Sequence, residues 1–109
     1  MSRYLKEIQQ EIEVDSAIFF EATKEDIAHH VLALCGEVGE LANMIKKVQR
    51  GDLDLEDEDV YYDMASEITD IFIYIVSIAG IAGMDMEAFY AAKREYNYQR
   101  FVGKVGWRI

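Results

Sequence analysis

Two acidic pairs carry the chemistry that this sequence could perform. Glu37 and Glu40 bracket Val38-Gly39, and Glu67 and Asp70 bracket Ile68-Thr69. Carboxylates three residues apart project from one face of a helix. The second pair opens MASEITDIFIYIVSIAGIAG (64–83), the most apolar stretch of the chain. Placing ionised acids beside a burying surface costs free energy unless something compensates them, and four clustered carboxylates repel one another. One acidic pair alone would read as a solvated helix face. Two pairs on neighbouring helices, the second entering an apolar run, point to a metal site. An oxygen-only ligand set suits Mg²⁺, with Mn²⁺ as the alternative. Mg²⁺ shares its shell readily with phosphate oxygens, so the pattern points to phosphate chemistry.

The elements that must position these acids are helices. Apolar periodicity predicts four of them in an all-α packed bundle, within a single domain spanning 1–109. The first runs from about Ser2 to Phe20, with Leu5, Ile8, Ile12 and Phe19 on one side. The second starts at Thr23, where Thr23-Lys24-Glu25-Asp26 resembles a capping box. It carries Ile27, Val31, Leu34, Val38, Leu41, Ile45 and Val48 in alternating steps of four and three, and stops at Gly51. The third spans about Asp59 to Gly80 or Gly83, is apolar almost all round after Asp70, and should be central. The fourth runs from about Asp85 to Phe101, with VGKVGWRI as an irregular tail. The short acidic linker GDLDLEDED (51–59) makes the second and third helices antiparallel neighbours and brings the two acidic pairs together. It lacks the glycine and glutamate of a calcium loop, and reads as a solvated segment favouring the next helix's N-terminus.

The acidic stripes extend beyond the pairs. Asp63, Glu67, Asp70, Tyr74 and Ser77 align on the third helix; His30, Glu37, Glu40, Met44 and Lys47 align on the second. Gly39 offers room for close approach of another group. Lys93, Asn97, Arg100 and Lys104 form a cationic face on the fourth helix, suited to phosphate oxygens.

Composition limits the partners. Net charge is −10, from 21 acidic and 11 basic residues, which argues against nucleic acid and anionic membrane surfaces. The fourteen uncharged residues after Asp70, Ile71 to Met84, fall short of the about 20 a membrane span needs. The single cysteine, Cys35, forms no internal disulfide and reads as packing on the apolar side. With no signal peptide apparent, a cytoplasmic location is expected. A third helix apolar on so many sides calls for a partner copy, at least a dimer.

Three segments, LCGEVGELANMIKK (34–47), SEITDIFIYI (66–75) and AAKREYNYQRF (91–101), together resemble the MazG-like all-α nucleoside triphosphate pyrophosphohydrolases. The resemblance covers about residues 23–101. It implies a homodimer or homotetramer of packed helices and Mg²⁺-dependent hydrolysis of a nucleoside triphosphate to a nucleoside monophosphate and pyrophosphate. It implies that Glu37, Glu40, Glu67 and Asp70 hold the metal. Lys93, Asn97 and Arg100, spaced K-x-x-x-N-x-x-R, would contact the nucleotide, and Lys47 its phosphates. Many members double the first acid; here Gly36 precedes Glu37, which leaves Glu37 or Glu40 to act as general base. Two other readings stand beside this one. A non-catalytic nucleotide-binding helical oligomer would keep the fold without turnover, and Gly36 is the feature in its favour. A carboxylate-bridged di-metal bundle would place histidine three residues after each glutamate, where this chain has Glu40 and Asp70. Base and sugar preference are not encoded in any motif.

Overall fold

The computed structural model describes residues 4–20 and 26–105, with side chains for all of these except 17–20 and 102–105. They form four helices, α1 (Leu5–Phe20), α2 (Ile27–Gln49), α3 (Glu58–Ile81) and α4 (Met86–Val105), and no strand among the described residues. The all-helical expectation is met. The proposed capping box at Thr23 lies outside the described residues; Asp26 is the N-cap of α2 without a side-chain capping bond.

Local chemistry sets the helix ends. Asp57 caps α3 by accepting from the backbone N–H groups of Asp59 and Val60, which is how the acidic linker starts that helix. Asp85 accepts from Ala88 N at the start of α4. Both α2 and α3 end in the same way. Gly51 (φ 84°) donates to Val48 O while Asp52 donates to Lys47 O; Gly83 (φ 74°) donates to Gly80 O while Met84 donates to Ala79 O. This paired closure needs a left-handed residue, and glycine adopts that conformation without a Cβ penalty. α4 runs four residues past Phe101, so the first part of the expected tail is helical. No proline interrupts it, and one glycine in a helix costs only about 1 kcal/mol.

α3 is the hub, with α2 along one side and α1 along another. The α2–α3 register is antiparallel. His30 meets Tyr74 at one end, with ring centroids 6.2 Å apart, and Glu37 meets Glu67 two turns further along. On α2 the half-buried or buried positions include His30, Leu34, Glu37, Leu41, Met44 and Val48; on α3 they include Val60, Met64, Glu67, Ile71, Tyr74 and Ile78. Both sets advance by alternating fours and threes, the spacing of interlocking helix seams. Each seam therefore carries a glutamate near its middle, where a hydrophobic residue would ordinarily sit.

α1 also runs antiparallel to α3. Ser16 and Ser77 share a buried hydroxyl–hydroxyl hydrogen bond of 2.7 Å. A Cβ on Gly80 would lie 2.6 Å from Glu13 Cγ, so the missing side chain lets the two helices close. Gln9 then ties α1 to the α3–α4 corner: its Nε2 donates to Met84 O (2.6 Å), and its Oε1 accepts from Met86 N (2.9 Å). Lys6 N donates to Glu87 beside it (2.8 Å).

The result is open. The radius of gyration is 17.3 Å, against about 13 Å for a compact chain of this size. Among the described residues only Ile12, Val76 and Ala79 form a buried apolar core, and no large side chain is fully buried. The α2 stripe predicted as one face divides in two. Leu34, Leu41 and Val48 meet α3, while Val31, Val38 and Ile45 remain 41%, 46% and 43% exposed. Cys35 belongs to this open side and is exposed, so its expected packing role fails within one chain. On α3, Ile68, Phe72 and Ile75 are exposed as well. α3 is central in topology but uncovered over much of its surface. It is long and apolar enough to cross a membrane by length and composition, yet it packs between two charged helices and carries Glu67 in its seam.

The Gln9 bridge supplies a test of this packing. Gln9→Leu should lower the unfolding free energy by about 1–3 kcal/mol, because the Met84 and Met86 backbone groups lose their partner; urea unfolding followed by circular dichroism measures it.

Candidate metal centre

The α2–α3 seam brings Glu37, Glu40 and Glu67 together. One carboxylate oxygen from each lies within 4.8 Å of the others. Glu37 and Glu67 are half-buried and Glu40 is exposed. Glu40 sits one turn beyond Glu37, so it reaches the same point from the seam's edge. Asp70 occupies the equivalent edge of α3 and lines, with Glu37, a cavity of about 380 Å³ that opens toward α1. Of the four predicted acids, three form the cluster and the fourth flanks it.

The electrostatics are uncompensated. Glu67 Oε2 is shielded from solvent and has no hydrogen-bond donor within reach among the described residues. No lysine or arginine pairs with any of the four acids among those residues. The Glu67 carboxyl is accordingly pushed up to about 7 from an ordinary 4.5. The largest cause is hydrogen bonding to Glu37, open only to a protonated carboxyl. Loss of solvent follows, then the negative charge of Glu37 and of Glu40. Three acids near one another, one of them shielded, fit a divalent cation, because a cation does what a shared proton does here and carries more charge.

The cationic residues are elsewhere. α4 packs chiefly against α1, and no α4 residue lines the cavity beside the acids. Lys93 Nζ lies 4.9 Å from the Tyr96 ring centroid, and the Arg100 guanidinium 5.7 Å from the same ring and 4.6 Å from that of Phe101. Asn97 Oδ1 is shielded and unpartnered among the described residues. Lys104's side chain lies outside the described set. Lys47, in the last turn of α2, is exposed. None of Lys47, Lys93, Asn97 and Arg100 lines the cavity with Glu37 and Asp70, and none forms an ion pair with the acids among the described residues. Gly39 also differs from expectation: nothing lies within 4 Å of where its Cβ would stand, so no group of the same chain approaches it. Gly36 is equally open.

The contribution of α1 was not foreseen. Ile12 and Ser16 line the cavity beside Glu37 and Asp70. The available signal was Ser16 falling four residues after Ile12, a polar break in the apolar side of the first helix.

The raised Glu67 value has a definite sign for stability. The folded state holds this proton more tightly than the unfolded state. In the absence of divalent ions, the stabilisation is present below about pH 4.5 and is lost as pH rises through about 7. Glu67→Gln should remove that slope and make the metal-free protein more heat-stable than wild type at pH 8, as read from melting temperature against pH.

Comparison with curated proteins and with solved structures gave no significant match. The family model described as the MazG nucleotide pyrophosphohydrolase domain matches residues 26–95, which holds α2, α3 and the first half of α4. Both acidic pairs and Lys93 fall inside that match; Asn97 and Arg100 follow it. Members of this family typically need a divalent metal, in keeping with the acidic cluster between α2 and α3. With nearly two thirds of its length covered, this chain belongs to the MazG nucleotide pyrophosphohydrolase family.

Proposed function

We propose that this chain hydrolyses a nucleoside triphosphate between its α and β phosphates, giving a nucleoside monophosphate and pyrophosphate. The observation that carries the reading is the shielded, donorless Glu67 carboxylate facing Glu37 and Glu40 in a MazG-family seam. Glu37, Glu40, Glu67 and Asp70 are assigned to hold Mg²⁺, with Mn²⁺ able to substitute. Such an ion supplies positive charge that offsets the carboxylates and the phosphate chain together. That is how a chain of net charge −10 accepts an anionic substrate.

The residues' roles follow from their positions. Glu37 and Glu67, fixed in the seam, orient the site. Glu40, exposed to solvent beside them, is assigned to take the proton from the attacking water. The water oxygen bonds to the α-phosphorus as the bond from that phosphorus to the bridging oxygen breaks, and pyrophosphate leaves. Lys93 and Arg100 neutralise charge on the phosphate oxygens, Asn97 binds the nucleotide, and Lys47 contacts the phosphate tail. Within one chain α4 packs chiefly against α1 and lines no part of the cavity beside the acids, so we assign Lys93, Asn97 and Arg100 to reach the site across an interface with a second copy. The exposed stripes Val31-Val38-Ile45 and Ile68-Phe72-Ile75, with the high radius of gyration, support a homodimer or homotetramer. A cytoplasmic location, with neither nucleic acid nor membrane as partner, completes the proposal.

A panel of nucleoside triphosphates with Mg²⁺, assayed for pyrophosphate release, tests the activity. At least one should be turned over. The double variant Glu40→Ala, Asp70→Ala should lose about 10²-fold or more of that rate, and chelation of divalent ions should abolish it. Nucleotide binding without pyrophosphate release would instead support the non-catalytic reading. Sedimentation should give a mass at least twice that of one chain; a monomer that turns over nucleotide would remove the trans role of α4.

A further inference from the structure

We infer that the cavity between α1 and α3 receives the nucleoside half of the substrate, and that the Ser16–Ser77 hydroxyl pair reads the edge of its base. This rests on the nucleotide reading above. The cavity is lined by Glu37 and Asp70, where the phosphate chain would be held, by Asp15 on α1, and by Ile12, Ile73, Tyr74 and the two buried serines. Its volume of about 380 Å³ falls at the small end of the about 300–1,000 Å³ range for small-molecule pockets. That suits one nucleoside rather than a dinucleotide or a peptide. Its walls are mixed in the way a base requires. Ile12 and Ile73 give apolar contact, and Tyr74 and His30, packed edge to face, give aromatic surface.

The polar end is specific. Ser16 and Ser77 are 4% and 3% exposed and bond to each other at 2.7 Å. One hydroxyl proton is used between them. The other remains to donate, and oxygen lone pairs remain to accept. The pair therefore presents one donor and one acceptor side by side, and either oxygen can be the internal donor. A keto base edge and an amino base edge of the same size are matched equally well by reversing the pair. The selectivity of this site is accordingly one of size and shape, with little preference between a keto and an amino base of the same ring size.

The test compares two ligands that share a phosphate chain: a non-hydrolysable α,β-methylene pyrimidine nucleoside triphosphate and inorganic tripolyphosphate, each titrated calorimetrically with Mg²⁺ present. Ser16→Ala, Ser77→Ala removes both partners of the buried bond at once, so neither hydroxyl is left orphaned and the fold is retained. This double variant should bind the nucleotide about tenfold more weakly and tripolyphosphate as wild type does. Ile73→Trp, which fills the cavity from a partly exposed position, should weaken nucleotide binding further with the same indifference to tripolyphosphate. In wild type, the uracil and cytosine analogues should bind within about tenfold of each other. Equal losses for both ligands, no loss for either, or a larger gap between the two bases would overturn the inference while leaving the hydrolase reading intact. A wild-type protein that binds neither ligand would overturn both.

Discussion

Two glutamates from antiparallel helices meet where a hydrophobic pair would ordinarily lock a seam. The repulsion between Glu37 and Glu67, with Glu40 beside them, is the constraint on which the rest of this structure depends. Hydrophobic layers on either side force the approach: Leu34 and Leu41 on α2, Ile71 and Met64 on α3. Interdigitating side chains at four-and-three spacing fix the register within a residue. The acids cannot separate without unzipping those layers. The apolar seam thus supplies the free energy that holds like charges together, and the charges are left needing a proton or a cation.

Placement of the acids at the seam's centre and edge divides the labour. The shielded Glu67 has lost its solvent and lacks a donor, while Glu40 and Asp70 keep access to water. A site built this way has rigid ligands and exposed ones in the same first turn of contact. Beside it lies the cavity toward α1, whose mixed walls set Ile12, Ile73 and Tyr74 against the hydroxyls of Ser16 and Ser77 and would meet a part of the substrate that carries no charge. The arrangement of charge-binding and apolar regions mirrors the two halves of a nucleotide.

Much of this was legible from residue spacing. Four helices, the antiparallel α2–α3 pair, the acidic cluster and the linker's role in starting α3 all follow from local rules: period, caps and a short connection. Gly51 as the stop is read off directly; the linker's acids as a group were expected to favour the start of α3, and the structure singles out Asp57 among them as the cap. What could not be read depends on which of several apolar stripes faces which neighbour. The α2 stripe from Ile27 to Val48 is unbroken in sequence, yet alternate members face α3 and open space, and Cys35 shares the open side. Periodicity identifies an apolar face but not how many partners share it. The cavity escaped notice for the same reason. Ser16 acquires meaning only when Ser77, 61 positions away, arrives beside it. The direction α4 takes after Gly83 is likewise not a local matter: Gln9, 75 positions before Met84, ties that corner to α1 through a long-range bridge.

The central claim is that the seam acids are held together in order to bind a divalent ion. Calorimetric titration of Mg²⁺ at pH 7, in two buffers of different ionisation enthalpy, measures both the binding and the protons it displaces. With the Glu67 carboxyl titrating near 7, about half a proton should leave per ion bound, and Glu67→Gln should bind more weakly and release none. No binding by wild type, or equal affinity and equal proton release in the variant, would contradict the account.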